Sequence, residues 1–244
     1  MAEDLSVLTR SAAPPDLSLR YGEHPDQVAD VWRAEQGALR PLLVIVHGGF
    51  WKPEYDRAHA QAMSAALAQA GWTVLTLEYR RIPGQPFATL SDVDTALESL
   101  PPLVAPHNGE LLLLGHSAGG HLALWAAQAV VRPRLRGVVA LAPAADLRLA
   151  HALNLGDGAV QRFLGSAPER HPAADPMRLP TPCAPITILQ GEDDQVVPTA
   201  VAQSYANAFP GTRLLMLPAA GHFALIDPQH DAWQQVLAAL RELS

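Results

Sequence analysis

The stretch GHSAGG, residues 115 to 120, stands between two segments of different character. The apolar run ELLLLG, which ends at Gly115, has the length and composition of a buried strand, and AGGHLALWAAQAV, which begins at Ala118, predicts a helix. Small residues at such a junction let a strand and a helix approach each other closely. The spacing G-x-S-x-G therefore predicts a sharp turn that exposes the hydroxyl of Ser117 at the carboxyl end of a strand.

The alternation of strand and helix around this turn continues along the chain on both sides of it. Apolar runs of strand length alternate with helix-periodic segments, which predicts an α/β fold with parallel strands and crossover helices in one domain over residues 1–244. We expect strands at 42–47, 73–78, 110–115, 138–142, 186–190 and 214–217. We expect helices at 57–70, 91–100, 118–131, 199–209 and 228–243. Ahead of them, LSLRYG and QVADVWRA predict an antiparallel hairpin at the edge of the sheet.

Residues 146–182 interrupt the alternation. They contain no clear strand and mix short helical pieces with several glycines and prolines. A connection of this length within a compact α/β domain usually serves function. We therefore expect a lid or cap insertion over the site.

Charge and composition argue against several classes of function. A formal net charge of -7 makes nucleic acid and anionic membranes poor partners, and the single lysine, Lys52, excludes a P-loop. Cys183 is the only cysteine and cannot form an internal disulfide, so we interpret it as an apolar filler. The apolar runs are too short to span a bilayer, and the acidic start is unlike a signal peptide. These features predict a cytoplasmic protein that acts on a small-molecule substrate.

The hydroxyl of Ser117 needs a base to become a nucleophile, usually a histidine that a carboxylate holds in the correct tautomer. Among ten histidines, His222 in AAGHF fits best, because it follows the late strand-like run RLLMLP. His116 and His121 flank the serine and are interpreted as packing or supporting groups, and no further cluster suggests a metal site. Surface positions are expected for the other histidines that we considered, which are His24, His107, His171 and His230.

The acid should follow the strand-like run ITILQ, where the sequence continues GEDDQVVP. Asp193 and Asp194 share this loop, and only one of the two can point inward. Asp146, at the end of VVALAPAAD, is a third candidate because neighbouring strand ends meet at the same sheet edge. The residues by themselves leave these three carboxylates open.

The stretch HGGFW, residues 47 to 51, follows the apolar run LLVIV and provides the other part of the predicted site. Attack on a carbonyl creates a negatively charged oxygen that backbone N–H groups must stabilise, and glycines let a substrate come close to such groups. We expect these donors at Gly49, Phe50 and Ala118. Trp51, together with Phe163 of the 146–182 segment, is expected to form an apolar wall that binds substrate.

These motifs together resemble the α/β-hydrolase superfamily over almost the whole chain. HGGFW looks like the H-G-G-x-W motif of arylformamidases (kynurenine formamidases) and related carboxylesterases, which are relatives of the hormone-sensitive-lipase group. GEDDQVVP is similar to the acid loop G-x-x-D-x-x-V-P, a register that selects Asp194 as the acid. The resemblance implies nucleophile, acid and base in the order Ser117, Asp194 and His222.

The resemblance also implies a reaction. It predicts a serine hydrolase that cleaves small ester, formamide or amide substrates through an acyl-enzyme, with no metal and no organic cofactor. A ligand receptor that uses a hydrolase fold and a small peptidase are the alternatives. The presence of all three triad residues argues against the receptor, and the lack of room for a large additional domain argues against the peptidase.

Overall fold

Eight strands form one sheet in the computed structural model, which describes residues 3–35 and 37–244. The strand order is β1-β2-β4-β3-β5-β6-β7-β8. The strands are β1 (Leu17–Arg20), β2 (Val28–Trp32), β3 (Leu42–Val46), β4 (Val74–Leu77), β5 (Leu111–His116), β6 (Leu135–Leu141), β7 (Ile186–Gly191) and β8 (Arg213–Leu217). The pairs β1·β2 and β2·β4 are antiparallel and all other neighbours are parallel. The predicted mostly parallel α/β sheet and its edge hairpin are confirmed.

The central strands are apolar along their whole length because helices cover both faces of the sheet. All five residues of β3 are buried. Leu42 and Val44 contribute to one hydrophobic cluster, while Leu43 and Ile45 contribute to the cluster on the opposite face. Successive side chains of a strand point to opposite faces, so the unbroken run LLVIV supplies both cores at once.

Seven helices connect and flank the strands of the described residues. They are α1 (Gln61–Gln69), α2 (Pro86–Ser99), α3 (Ala118–Ala129), α4 (Leu147–Ala152), α5 (Leu155–Leu164), α6 (Thr199–Ala208) and α7 (Trp233–Glu242). The largest errors in the predicted boundaries, of five residues each, are at the starts of two helices. Helix α2 begins five residues earlier than expected, because Pro86 occupies the first turn, where a missing N–H costs nothing. The last helix begins at Trp233 and not at residue 228, because a turn follows the short 3₁₀ segment Phe223–Ile226.

The segment 146–182 consists of α4, α5 and three 3₁₀ turns, without a strand. Residues 156–158 of α5 have positive φ angles, so its regular part begins after Gly158. Farther along, three side chains of α3 donate to backbone carbonyls of the segment: His121 to Ala174, Trp125 to Ala173, and Gln128 to Pro176 and Pro180. Residues 173–180 are therefore fixed to α3 by hydrogen bonds. In the described part of the chain, no helix is long and apolar enough to cross a bilayer.

Candidate active site

The turn between β5 and α3 holds Ser117 in a strained conformation. Its φ of 56° and ψ of -119° lie in a region that L residues rarely adopt. The Ser117 N–H donates to the carbonyl of Leu141 at 2.8 Å, and the Ser117 carbonyl accepts from Ala144 N–H at 3.1 Å. A Cβ on Gly119 would lie 2.0 Å from the carbonyl oxygen of Val46, so glycine lets α3 start directly against β3. The surrounding contacts thus hold the strained turn in place.

The loops after β7 and β8 bring Asp194 and His222 together. The Nδ1 atom of His222 lies 2.7 Å from Oδ2 of Asp194, and both residues are buried. Oδ1 of Asp194 accepts from the N–H groups of Val196 and Val197, each at 2.8 Å. The carboxylate therefore has a fixed orientation, and it holds the imidazole with its Nδ1–H toward Asp194.

Gln190 also supports this carboxylate, and sequence reasoning missed it. Its Nε2 group donates to Oδ2 of Asp194 at 3.0 Å and to the carbonyl of Val197 at 3.2 Å. Gln190 is the fifth residue of β7 and its side chain is fully buried. A polar residue near the end of an apolar strand was the available signal, because buried amides need partners.

The two other acid candidates lie elsewhere. Asp193 is exposed. Its backbone N–H donates to the carbonyl of Ala220 at 3.0 Å, and its carbonyl accepts from Nε2 of Gln195 at 3.0 Å. Asp146 accepts from Leu149 N–H and caps the first turn of α4, and it also accepts from the Ser204 hydroxyl at 2.6 Å. Of the three carboxylates, the structure places Asp194 against His222.

The HGGFW stretch forms a turn at the end of β3. Lys52 N–H donates to the carbonyl of Gly49 at 2.9 Å, which closes a four-residue turn. The central residues Phe50 and Trp51 have φ angles of 53° and 54°, the signs of a type I′ turn, and Gly49 has φ 105°. Bulky residues at positive φ are uncommon and costly. Packing contacts around the turn must therefore maintain it.

The backbone N–H groups predicted as oxyanion donors have no acceptor among the residues that the structure describes. No hydrogen bond between residues of the described ranges uses the N–H of Gly49 or of Phe50. Ala118 is the first residue of α3, so its N–H has no partner within the helix. Gly49, Phe50 and Ser117 line the same cavity. Gly49 and Phe50 thus lie where oxyanion donors are expected, and the donor role of these two residues and of Ala118 stays a prediction.

His47 anchors the turn to the end of β4. Its Nε2 atom lies 2.9 Å from a carboxylate oxygen of Glu78, and its carbonyl accepts from the Tyr79 hydroxyl at 2.6 Å. The rings of His47 and Tyr79 stack with their centroids 4.4 Å apart. Glu78 is itself buried and also accepts from the backbone N–H of Arg57. Sequence reasoning did not single out Glu78 or Tyr79, since their function depends on a neighbouring strand.

Trp51 and Phe163 lie behind the turn and do not line the cavity at Ser117. Their rings stack with centroids 4.7 Å apart, and both side chains belong to the hydrophobic core. The ring of His121 meets Trp51 edge-on at 5.2 Å. Trp51, Phe163 and Phe50 do share a smaller, neighbouring cavity of 130 Å³. The observed contacts make this stack a support for the turn, and its binding of substrate stays a prediction.

A cavity of 420 Å³ contains Ser117 and His222 in its wall. Among the described residues, no hydrogen bond joins these two side chains, a contact that often tightens only when substrate binds. Its remaining wall is largely apolar. The apolar side chains and the tyrosine that line it are Leu5, Leu8, Phe50, Tyr55, Val196 and Phe223.

Two further histidines, His59 and His116, also line this cavity. Burial lowers the pKa of His59 to about 4, with the nearby His47 as the next cause. Burial, followed by the neighbouring His222, holds the pKa of His116 well below its ordinary range. Neutral His116 donates its Nε2–H to the carbonyl of His222 at 3.1 Å, which agrees with the supporting role expected for it. Within the described ranges, no three His, Cys, Asp or Glu side chains are grouped to hold a metal ion.

Comparison with known families gives a match over most of the chain. The BD-FAE family model matches residues 30–209. The chain belongs to the BD-FAE family. The BD-FAE match includes the HGGFW turn, Ser117 and Asp194, and it ends before His222.

The chain is also similar to curated relatives, and it shares its fold with solved structures. Esterase LipC of Mycobacterium tuberculosis is 28% identical, over 85% of this chain and 59% of that protein. Kynurenine formamidase of Drosophila melanogaster is 32% identical, over 48% of this chain and 38% of that protein. The chain thus spans about half the length of these relatives. Esterase B from Lactobacillus rhamnosis shares the fold with a TM-score of 0.78 and 20% identity, over 96% of this chain and 87% of that one. The α/β-hydrolase fold expected from the sequence is confirmed.

Proposed function

We propose that the protein is a serine hydrolase that cleaves small carboxylic ester, formamide or amide substrates through an acyl-enzyme. The observation that carries this proposal is the 2.7 Å contact between Asp194 and His222 in the loops beside Ser117. The relatives named as esterase and as kynurenine formamidase support it as well. The cytoplasmic location expected from the sequence is part of the same proposal.

In this mechanism the contact with Asp194 keeps the proton of His222 on Nδ1, so Nε2 is free to accept one. His222 takes the proton of the Ser117 hydroxyl as the serine oxygen attacks the substrate carbonyl carbon. The resulting oxyanion accepts from the N–H groups of Gly49, Phe50 and Ala118. His222 then gives the proton to the leaving oxygen or nitrogen, and the bond to the leaving group breaks. An acyl group remains on Ser117.

Water completes the cycle. His222 removes a proton from a water molecule, which attacks the acyl carbonyl, and a second tetrahedral intermediate forms on the same donors. Its collapse returns the proton to Ser117 and releases the acid. Every proton in the cycle passes through Nε2 of His222, so Asp194 needs only to orient and stabilise the ring.

The cavity favours substrates with small apolar parts. Its volume is 420 Å³, and Leu5, Leu8 and Phe223 line it. Burial of apolar surface contributes about 25 cal/mol per Å², so each added methylene strengthens binding until the cavity is full. A lid formed by residues 146–182 stays a prediction. Of this segment, Gly156 lies against the ring of Phe50 in the cavity wall, where a Cβ would come within 2.8 Å of it.

The test combines a substrate panel with labelling of the nucleophile. Purified protein is assayed on p-nitrophenyl esters of graded chain length and on N-formylkynurenine, and a phosphonate probe is located by mass spectrometry. We expect turnover that is highest for short acyl chains, with the probe on Ser117 alone. Ser117→Ala should abolish both signals, while Ser99→Ala, an exposed serine on α2, should keep them. Binding of these compounds without turnover or labelling would favour the receptor, and cleavage of peptides alone would favour the peptidase.

A further inference from the structure

The carboxylate of Glu3 joins the loops that carry Asp194 and His222. Its Oε1 atom accepts from the N–H of Gln195 at 2.9 Å and from the N–H of His222 at 3.0 Å. Its Oε2 atom accepts from the same His222 N–H at 2.8 Å. Gln195 directly follows Asp194. One carboxylate far away in sequence therefore contacts the backbone of His222 and of the residue that follows Asp194.

Gly221 provides the space for this carboxylate. A Cβ at position 221 would lie 2.5 Å from Oε2 of Glu3, far closer than two such atoms can approach. Its φ lies in the region open to every residue, so the backbone conformation does not require glycine there. The carboxylate of Glu3 thus occupies the space that a side chain at position 221 would fill.

Residues 3–10, which we call the N-terminal segment, are anchored beyond Glu3 as well. Val7 is 2% exposed and belongs to the hydrophobic core, and Arg10 forms an ion pair with Asp227 in which Nη2 lies 2.9 Å from Oδ2. Leu5 and Leu8 line the cavity of Ser117. The position of Glu3 is therefore set by packing and an ion pair as well as by its own hydrogen bonds.

We propose that Glu3 is a positioning residue for the acid–base pair of the hydrolase, an inference that rests on the function proposed above. The backbone of His222 is held from two sides, because its N–H donates to Glu3 and its carbonyl accepts from His116. Hydrogen bonds to an ionised acceptor are roughly twice as strong as neutral ones. Without them the loop of His222 gains freedom, and misplacement of a catalytic group by about 1 Å can cost about a hundredfold in rate.

Three variants test this role. Glu3→Ala removes the acceptors, and Gly221→Ala leaves the carboxylate in the chain but displaces it with a methyl group. Glu3→Gln keeps one carbonyl oxygen for Gln195 and His222. Asp4→Asn is the matched control, because it removes the same charge from the adjacent, exposed residue, whose carboxylate accepts from Ser6.

We expect Glu3→Ala and Gly221→Ala each to lower kcat by about tenfold on an activated ester, with KM within about twofold, since the loss falls on the transition state. Glu3→Gln should recover most of kcat, and Asp4→Asn should match the parent. The double variant Glu3→Ala/Gly221→Ala should be no slower than Glu3→Ala alone, because both changes break the same contact. Titration with the phosphonate measures the concentration of protein with a reactive Ser117. Dividing the rate by this concentration prevents partial unfolding from being mistaken for a lower kcat.

Several outcomes would overturn the role of Glu3. One is a parent-like kcat per site in Glu3→Ala, and another is additive losses in the double variant. A third is a rise of KM without a fall of kcat, which would make the N-terminal segment only a wall of the substrate cavity. A parent protein that neither turns over any ester nor reacts with the phosphonate refutes the hydrolase function itself, which separates the two failures. If Glu3→Ala does not fold, Gly221→Ala and Glu3→Gln decide the question by the same criteria.

Discussion

The loops that carry Asp194 and His222 and the turn of the HGGFW stretch form two sides of one cavity, and they are held in different ways. Asp194 accepts four hydrogen bonds, from Val196, Val197, Gln190 and His222. The turn, in contrast, has three consecutive residues at positive φ and is supported by aromatic rings stacked behind it. The acid–base side is fixed by hydrogen bonds that converge on one carboxylate, whereas the turn combines strained backbone and packed rings with the hydrogen bonds that anchor His47.

This difference concerns what each side contributes to the reaction. In the proposed mechanism, the chemistry of the acid–base side belongs to particular side-chain atoms, so replacing one atom is enough to destroy it. On the turn side it belongs to backbone N–H groups that every residue except proline carries, so the identity of a side chain matters only through the conformation that it permits. Variants of equal size should therefore have unequal effects on the two sides.

The largest effect is expected for Asp194→Asn. The amide presents an N–H₂ group where the carboxylate accepted from His222, which favours the wrong tautomer, and kcat should fall by about 10⁴ as in the serine-protease precedent. The measurement is kcat on one activated ester, with folding checked by circular dichroism. Asp193→Asn and Asp146→Asn are the controls and should stay within about tenfold of the parent, because neither contacts His222. If either control lost most of its kcat while Asp194→Asn stayed active, the residue replaced in that control would be the catalytic acid.

A smaller effect is expected for Gly49→Ala on the turn side. The residue has φ 105°, and a Cβ there would lie 2.5 Å from Cβ of Tyr55. We expect the N–H donors to move and kcat to fall by about a hundredfold, with a smaller change of KM. Phe50→Gly is the matched variant, since it keeps the N–H and relieves a φ of 53°, and its kcat should stay within about threefold of the parent.

These two variants separate conformation from side-chain chemistry. Proline at position 50 would remove the N–H directly, but its fixed negative φ cannot match the observed 53°. A normal kcat in Gly49→Ala combined with a raised KM would mean that the turn only binds substrate. A hundredfold loss in Phe50→Gly would mean that the phenyl ring, and not the backbone, carries the effect.

The smallest effect concerns stability and a histidine that packs against Trp51. Burial lowers the pKa of His121 to about 4 from its ordinary 6.5. Below pH 6.5 the unfolded chain binds a proton that the folded protein does not bind until the pH nears 4, so the free energy of unfolding falls over this range. At pH 5 the loss amounts to about 2 kcal/mol relative to neutral pH. His121→Gln, which can still donate to the carbonyl of Ala174, should lack this loss. Urea unfolding of both proteins at pH 7.5 and pH 5 measures it, and equal pH dependence in the two would contradict the assignment.

Features that depend on residues close together along the chain could be predicted from the sequence. The strands, the crossover helices and the turn at Ser117 follow from periodicity and from the spacing of small residues around GHSAGG. These predictions rest on local rules of backbone geometry and burial. The choice of Asp194 came from the resemblance of GEDDQVVP to a known acid loop, and the structure buries Asp194 and exposes Asp193.

Features that depend on contacts between distant segments were missed. Glu78 and Glu3 contact residues that are far away in sequence, 31 positions for His47 and 192 for Gln195, and no periodic pattern marks them. The stacking of Trp51 on Phe163 in the hydrophobic core was not anticipated either, and the binding of substrate by these two residues stays a prediction. Pairing between segments is decided by the packed structure, and a single sequence does not record it.

The position of Lys52 allows the turn to be labelled with an amine-reactive reagent. It is the only lysine among these 244 residues, it closes the turn through its N–H, and its ammonium group lies 5.6 Å from the centre of the Phe50 ring. An amine-reactive fluorophore would therefore attach, apart from the chain terminus, at this one side chain of an unmodified protein. Its emission would follow the turn in real time as substrates enter and leave.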